Sequence, residues 1–188
     1  MKIAFLVGKF PSLSQTFILN QVTGLIDRGH QVDIYALNGP VSDLPKKHPA
    51  VEQYQLLDHT YYSPNLPNSF LRQVIKGFVL LLANIHRGSL SCLTPSFTKY
   101  RQAYSLKFFY EVIPLLGNGP YDIIHCQFGS FGQSGLLFRN LGLLQGKLIT
   151  TFRGIDISQD VQTFGEHIYD QLFAEGDLFL AVCEYFRQ

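Results

Sequence analysis

Glycines and polar side chains follow three apolar stretches of this 188-residue chain, at positions where a buried strand would not supply them. These residues are Gly8 and Lys9, then His125, Gln127 and Gly129, and then Arg153, Gly154 and Asp156. Glycine lets a backbone approach a ligand closely, and the N–H groups at a helix start attract anions. Arginine can bind a phosphate through two parallel hydrogen bonds. The chemistry that these residue types favour is therefore recognition of a phosphate or another anion.

Apolar runs that alternate with helical spacing predict the elements that position these residues. In the first part of the chain they are a strand over 2–7, a helix ending near 27–29 and a strand over 31–37. In the second part they are a strand over 121–127, a glycine turn at 128–132, a helix over 133–144, a strand over 147–152, a helix over 163–174 and a strand over 177–183. This order predicts an α/β fold, with a doubly wound, mostly parallel Rossmann-like sheet in one domain over 1–188. The carboxyl ends of such strands share one rim, so the candidate residues would line a single cleft.

Side-chain spacing predicts the buried faces and the ends of two helices. One face of the first helix carries Phe17, Ile18, Val22, Leu25 and Ile26, and the helix over 163–174 is expected to bury Phe164, Ile168, Leu172 and Phe173. Ser12 and Gln15 have the spacing of a capping box, and Gly29 is a typical C-terminal stop. Ser14 and Gln15 have two interpretations, as ordinary residues of the helix start and as ligand contacts.

A helical excursion is predicted near 69–116, after a short strand near 59–62. Its helices cover about 69–87 and 96–116. The apolar faces consist of Phe70, Val74, Phe78, Leu81, Leu82 and Ile85 in the first helix and of Tyr100, Tyr104, Phe108 and Val112 in the second. Core packing is the expected use of both faces. Contact with a membrane surface or a lipid tail is the alternative, compatible with the basic residues Arg72, Lys76, Arg87, Lys99, Arg101 and Lys107.

Composition excludes several classes of protein. The 15 basic and 14 acidic side chains imply no general attraction to nucleic acid or to an anionic membrane, and leave a local basic patch open. Cys92, Cys126 and Cys183 are odd in number and lack C-x-x-C spacing, which favours a reducing compartment over a disulfide framework or a zinc site. The first apolar run is shorter than the ~7–15 residues of a secretion signal, and the run over 77–85 is far below the ~20 that span a bilayer. We expect a cytoplasmic protein and predict no metal or organic cofactor.

Each candidate residue also has a structural interpretation. Gly8 can serve a tight turn, Lys9 can be solvated, and His125 can be a hydrogen-bonded core histidine. Arg153 and Asp156 can pair with each other at their loop. The first loop lacks G-x-G-x-x-G, which weakens a nicotinamide-binding interpretation, and the chain contains no P-loop. It also lacks the G-x-S-x-G elbow of a hydrolase. Both interpretations stay open at this point.

Five segments occur in a characteristic order along the chain. They are Phe-Pro-Ser-Leu-Ser-Gln-Thr-Phe-Ile at 10–18, Gly-His-Gln-Val at 29–32, Asp-Ile-Ile-His-Cys-Gln-Phe-Gly at 122–129, Thr-Phe-Arg-Gly-Ile-Asp at 151–156 and Ala-Val-Cys-Glu-Tyr-Phe at 181–186. In these segments the chain resembles the amino-terminal domain of glycosyltransferase family 4, which has the GT-B fold. The resemblance is to the branch that builds bacterial exopolysaccharides, including enzymes of the colanic-acid type.

The resemblance implies a retaining transferase that moves a sugar from a nucleotide-sugar donor to a hydroxyl of a glycan or lipid-linked acceptor. In such enzymes two Rossmann-like domains face each other across a cleft. The amino-terminal domain mainly holds the acceptor, and its first glycine loop approaches the donor diphosphate. The predicted substrate contacts are therefore Gly8, Lys9, Ser14, Gln15, His125, Gln127, Gly129, Gly154 and Asp156.

Three positions depart from the pattern of the family. Relatives often have Glu where Gln15 stands, and His where Gln127 and Arg153 stand. Arginine stays protonated and cannot act as a base, so a catalytic Arg153 would act by stabilising charge.

The resemblance covers only the first half of such an enzyme, because the chain ends where the bridge to a donor-binding domain would begin. We expect this chain alone to transfer no sugar and to bind nucleotide-sugars poorly. It should also expose an apolar face, where the second domain would pack and through which it can self-associate. The alternative is a non-catalytic module of the same fold that binds a glycan, a lipid-linked sugar or a partner protein.

Overall fold

One parallel sheet of six strands forms the centre of the molecule. The computed structural model describes residues 1–12, 15–39, 48–84 and 105–184. The strands are β1 (Lys2–Val7), β2 (Gln31–Ala36), β3 (Thr60–Tyr62), β4 (Ile123–Gln127), β5 (Lys147–Phe152) and β6 (Leu178–Ala181). Their order across the sheet is β3-β2-β1-β4-β5-β6, which is the Rossmann order. The prediction of a doubly wound parallel sheet is confirmed, and β1 lies at its centre, paired with β2 and β4.

Helices lie on both faces of the sheet. They are α1 (Thr16–Ile26), α2 (Pro49–Gln53), α3 (Phe70–Ala83), α4 (Leu106–Val112), α5 (Gly129–Asn140), α6 (Val161–Phe164) and α7 (Asp170–Glu175). Short 3₁₀ segments cover Leu56–His59, Ile113–Leu115 and Glu166–Tyr169, and a π-helical turn covers Asp156–Asp160. Successive residues of β1 alternate between the two cores, as the twofold period of a strand requires: Phe5 packs with α1 and α2, and Leu6 packs with α4, α5 and α7.

The amino ends of the strands enclose a buried polar cluster. The Tyr121 hydroxyl donates to Asp33 Oδ2 at 2.8 Å and lies 2.7 Å from the Tyr35 hydroxyl. Burial raises the pKa of both phenols, so both stay neutral donors. Lys2 Nζ lies 3.5 Å from the same carboxylate. Asp33 is therefore bonded and charge-paired although it is buried in β2.

The start of α1 differs from the prediction. Gln15 is the N-cap and makes no side-chain capping bond, so the proposed capping box between Ser12 and Gln15 is wrong. The Gln15 backbone N–H instead donates to the Ser12 carbonyl at 3.2 Å. At the other end Gly29 has φ +79°, as expected of a residue that stops a helix.

The predicted glycine turn at 128–132 is wrong, because α5 already begins at Gly129. The glycines of this helix serve close packing. A Cβ at Gly135 would lie 2.5 Å from Cys126 Sγ, and one at Gly132 would lie 2.7 Å from the Thr150 side chain. Their absence lets α5 approach β4 and β5 closely.

The predicted continuous helix over 163–174 is broken at Gly165, which has φ +96°. Leu172 is buried as expected, whereas Phe164 is 69% and Phe173 53% exposed. The burial prediction is wrong for these two phenylalanines because the break changes which face of the segment meets the sheet.

The core-packing prediction fails for α3. Phe70 is 74% and Phe78 61% exposed, and Val74 and Leu82 are exposed as well. The helix contacts the domain through another face, where Gly77 lies against α4 and Leu80 against the core. In the second predicted helix Phe108 and Val112 are buried, as predicted. Leu81, Ile85, Tyr100 and Tyr104 lie outside the side chains that the structure describes.

Candidate functional site

The strand order places the three sets of candidate residues on one rim. Gly8 follows β1, Gln127 ends β4, and Arg153 follows β5, and these three strands are neighbours. The chain leaves β1 toward β2 on one side and resumes at β4 on the other, so the sheet reverses its strand order between β1 and β4. Ligands of open α/β sheets bind at this point.

The side chain of Arg153 lies at the centre of the site. Its Nε and Nη2 atoms donate to Gln127 Oε1 at 3.0 and 2.7 Å, and Nη2 also donates to Gln21 Oε1 at 3.2 Å. The guanidinium carbon lies 3.9 Å from the centroid of the Phe17 ring, a cation–π geometry. Burial lowers the pKa of the guanidinium, and the charge of Asp156 opposes this effect. Among the described residues, the groups in contact with the guanidinium are two neutral amides and a ring, and its Nη1 atom bonds to neither amide.

Asp156 does not bond to the side chain of Arg153. Its buried carboxylate accepts backbone N–H groups instead: from Gly129 at 3.0 Å, from Arg153 at 2.9 and 3.1 Å and from Gly154 at 2.8 Å. Gly154 has φ +110°, a conformation that a residue with a side chain rarely adopts. Asp156 therefore fixes the loop after β5 to the start of α5 and sets the direction in which the Arg153 side chain leaves the backbone.

His125 lies beneath this arrangement and is buried. Its Nε2 atom lies 2.8 Å from Thr151 Oγ1 and 3.3 Å from Gln127 Nε2. Since Gln127 Oε1 faces Arg153, the Gln127 Nε2 group faces His125 and also donates to Gln21 Oε1 at 3.0 Å. Burial, and next the positive charge of Arg153, lower the histidine pKa to about 4. The ring is therefore neutral at pH 7 and adds no second positive charge.

The other candidate residues occupy different environments. Gly8 is buried, and a Cβ there would lie 3.0 Å from Phe131 and 3.1 Å from Asn38 Nδ2. Lys9 is exposed. Gly129 gives its N–H to Asp156, and a Cβ would meet Tyr169 at 2.6 Å, so this glycine packs against protein.

Gln15 and Ser14 stand at the start of α1. Gln15 has a buried Oε1 without a hydrogen-bond partner among the described residues. Ser14 lies outside them.

Sequence reasoning missed Gln21 and assigned Phe17 only to the buried face of α1. The two residues are four positions apart, a spacing that places them on the same face of the helix. A glutamine within a helix is usually solvated, so this spacing alone gave no reason to select it.

Phe128 adds an unusual backbone conformation to the rim. It has φ +81°, although it is not glycine, and it caps the start of α5. Its ring meets the rings of Phe17 and Phe131 edge-on, each at 6.5 Å between centroids. Strained backbone of this kind persists where the surroundings hold it, and it is concentrated at functional sites.

The described residues form a cavity on each side of the site. The larger, of about 720 Å³, has mainly apolar walls from β5, β6 and the helical segments between them, including Phe152, Tyr169, Phe173 and Phe179. The smaller, of about 210 Å³, lies beyond the carboxyl ends of β2 and β3, and its mainly apolar wall also carries the polar side chains of Asn38, Asn65, Lys107 and Glu111.

The strand order and the arginine at the switch point define a Rossmann-like domain with a candidate anion site. Comparison with known proteins identifies its family: the model of glycosyltransferase family 4 matches residues 14–188. The chain belongs to glycosyltransferase family 4.

Curated relatives carry names from exopolysaccharide synthesis. WcaL of Salmonella typhimurium, named as a colanic acid biosynthesis glycosyltransferase, is 35% identical over 187 residues, and WcaL of Escherichia coli is 33% identical. AmsK of Erwinia amylovora, named as an amylovoran biosynthesis glycosyltransferase, is 34% identical over 189 residues. The matches cover 97–98% of this chain but only 45% of each relative, so the chain spans about half of their length.

Proposed function

We propose that this chain forms the acceptor-side half of a retaining glycosyltransferase of polysaccharide biosynthesis. The reaction moves a sugar from a nucleotide-sugar to a glycan or lipid-linked acceptor. The observation that carries the proposal is Arg153, a cation at the switch point of the sheet whose side-chain hydrogen bonds, among the described residues, go to the neutral amides of Gln127 and Gln21.

The chemistry of sugar transfer gives this cation a role. The bond from the sugar to the donor diphosphate breaks, and negative charge grows on the leaving phosphate. A guanidinium already in place stabilises that charge without reorganisation. Gln127 and Gln21 orient the fork, and the Asp156 loop fixes the backbone that carries it. Gly8 and Lys9 begin the loop after β1 on the same rim, where the diphosphate would pass.

A chimera tests this function in a complete enzyme. The chain replaces the segment of the Salmonella relative to which it aligns, and transfer of labelled sugar to a lipid-linked acceptor is measured in membranes that lack that relative. We expect activity that falls strongly in Arg153→Ala and returns partly in Arg153→Lys, because lysine lacks the planar fork. Melting temperatures should stay nearly unchanged. Full activity of Arg153→Ala would reject the role of Arg153, and a folded but inactive parental chimera would favour the non-catalytic binding module.

We further propose that α3 rests on an anionic membrane surface. Its exposed apolar side chains include Phe70, Leu71, Ile75, Phe78 and Val79. The sequence between Asp58 and Glu111 contains no acidic residue, and it carries the six basic residues of the helical excursion named above. Among the described residues, no helix has the length and apolar character needed to cross a bilayer. An apolar face within a basic segment is typical of helices that lie in the interface.

Cosedimentation with vesicles tests the membrane contact. The Phe70→Ser/Phe78→Ser pair should weaken binding to phosphatidylglycerol-containing vesicles at least about tenfold, because it removes two large apolar side chains from the contact. The pair Phe164→Ser/Phe173→Ser changes two other exposed rings far along the chain and serves as the control. Equal binding of both pairs would contradict the proposal.

We propose that the apolar surface around β6 packs against the remainder of a complete enzyme and allows this chain to self-associate. It includes Phe164, Phe173, Leu178, Leu180 and Val182, all exposed. In analytical ultracentrifugation the Phe164→Ser/Phe173→Ser pair should reduce association, and the α3 pair should not. A wild-type chain that is monomeric at high concentration would contradict the proposal.

A further inference from the structure

The smaller cavity, of about 210 Å³, lies on the same rim as Arg153 but on the other side of Gly8. The segment after β2 supplies Leu37, Asn38 and Gly39, the segment after β3 supplies residues 63–66, and α4 supplies Lys107, Tyr110 and Glu111. Asn38 connects the two sites: its backbone N–H donates to the Gly8 carbonyl at 2.8 Å, and its side chain faces the position of a Gly8 Cβ. A ligand in this cavity would therefore lie beside the loop after β1.

The walls of the cavity are held by bonds from neighbouring helices. Lys76 of α3 donates to the Asn65 carbonyl at 2.8 Å, and the Tyr110 hydroxyl donates to the Gln73 carbonyl at 2.9 Å. Gly39 has φ +76°, and a Cβ there would lie 2.8 Å from Asn65 Oδ1. The two asparagine-bearing turns are thus packed closely together and present their amides in a fixed arrangement.

The charges in the cavity favour a neutral ligand. Lys107 Nζ and Glu111 Oε1 are 3.5 Å apart, so the one cation and the one anion among the described wall residues are paired with each other. Lys107 is largely exposed, whereas the side chain of Glu111 is only 16% exposed. Burial raises the pKa of Glu111, and the Lys107 charge opposes this. A phosphate would meet the Glu111 carboxylate, whereas a hydroxyl can donate to it.

We propose that this cavity binds one neutral hexopyranose unit of the acceptor, with its hydroxyls on Glu111, Asn38 and Asn65. Amides that donate and accept, together with a carboxylate that accepts, match the hydroxyls of a sugar. The apolar parts of Leu37, Leu66 and Tyr110 match its C–H face. The volume is below the ~300–1,000 Å³ of drug-sized sites, so it suits one ring. This inference rests on the proposed function and adds the class of the acceptor and the residues that select it.

Titration of the ¹⁵N-labelled 188-residue chain with methyl β-D-galactopyranoside and methyl β-D-glucopyranoside tests the inference. At least one glycoside should shift the side-chain amide signals of Asn38 and Asn65, with a dissociation constant of roughly 1 mM, as expected for a ligand of this size. Glu111→Gln should weaken binding at least about tenfold, since it removes a charge-assisted hydrogen bond. Glu52→Gln makes the same change on an exposed residue outside the cavity and should have no effect.

The outcomes separate this inference from the proposed function. Absence of shifts at Asn38 and Asn65 with both glycosides would overturn the inference, as would equal binding by Glu111→Gln and the wild-type chain. Pyrophosphate, added in a parallel titration, should shift the amide signals near Arg153. A chain that binds pyrophosphate but neither glycoside leaves the transferase proposal intact and removes only the sugar subsite.

Discussion

Replacing Asp156 by asparagine should destabilise the domain severely, although the change is nearly isosteric. The carboxylate is buried and accepts the N–H groups of Gly129, Arg153 and Gly154 at 2.8–3.1 Å. An asparagine offers one oxygen, so at least one N–H loses its acceptor and faces an amide NH₂. A hydrogen bond to a charged group contributes about 1.5–3 kcal/mol. With the weaker bonds that remain, we expect a loss of about 3–5 kcal/mol, a large fraction of the 5–15 kcal/mol of a typical domain.

Urea unfolding and thermal melting of the 188-residue chain measure this loss. For a chain of this length about 3–5 kcal/mol corresponds to a fall of roughly 6–20 °C in melting temperature. Asp170→Asn is the matched control, because this carboxylate is exposed and pairs with an exposed His167. It should change stability by less than about 0.5 kcal/mol. A melting temperature of Asp156→Asn that equals that of the control would refute the assignment of Asp156 as the anchor of the loop.

Three further predictions concern the packing and the titration of the domain. The pKa of His125 is about 4 in the folded chain and 6.5 in the unfolded chain. Its contribution to the free energy of unfolding is therefore complete above pH 6.5 and is lost as the pH falls toward 4. Urea titrations should show a loss of about 3 kcal/mol between these pH values, and in His125→Gln the free energy of unfolding should depend less on pH. Gly135→Ala should cost about 1–3 kcal/mol by overpacking, whereas Gly24→Ala, within α1, should stabilise by about 0.5–1 kcal/mol, both by thermal melting. Tyr121→Phe should cost about 1–3 kcal/mol in urea unfolding, because Asp33 Oδ2 loses its phenol donor. For each of these three predictions, an unfolding midpoint that does not change would contradict it.

The sequence predicted the sheet well because most strands are continuous apolar runs that alternate with helical segments. The strands β1 and β5 have the predicted bounds, and Gly29 ends α1 where expected. Burial of the helices was predicted less well, since helical spacing shows that a face is apolar but not what covers it. The exposed face of α3 is the example: Phe70 and Phe78 have the spacing of a core face, yet contact with the domain runs through Gly77.

The sequence predicted that the candidate residues lie together on one rim, but it did not predict their hydrogen-bond partners. The rule that parallel strands end on one rim was enough to group Arg153 with Gln127 and His125. Pairing of Arg153 with Asp156 was a reasonable interpretation of their spacing, but the carboxylate turns to backbone N–H groups and the guanidinium to amides. Gln21 reaches the site from a distant part of the chain, and a long-range contact of this kind leaves no local pattern in one sequence.

Pyrophosphate binding by the 188-residue chain tests the central claim most directly, namely that Arg153 is a cation held ready for an anion. Isothermal titration should show binding that weakens at least about tenfold in Arg153→Ala and less in Arg153→Lys, since a bidentate contact is lost in both and the charge only in the first. Arg28→Ala removes an exposed arginine that bonds to the Gly24 carbonyl, and it should bind like the wild type. Equal affinity of Arg153→Ala and Arg28→Ala, with both chains folded, would contradict the account.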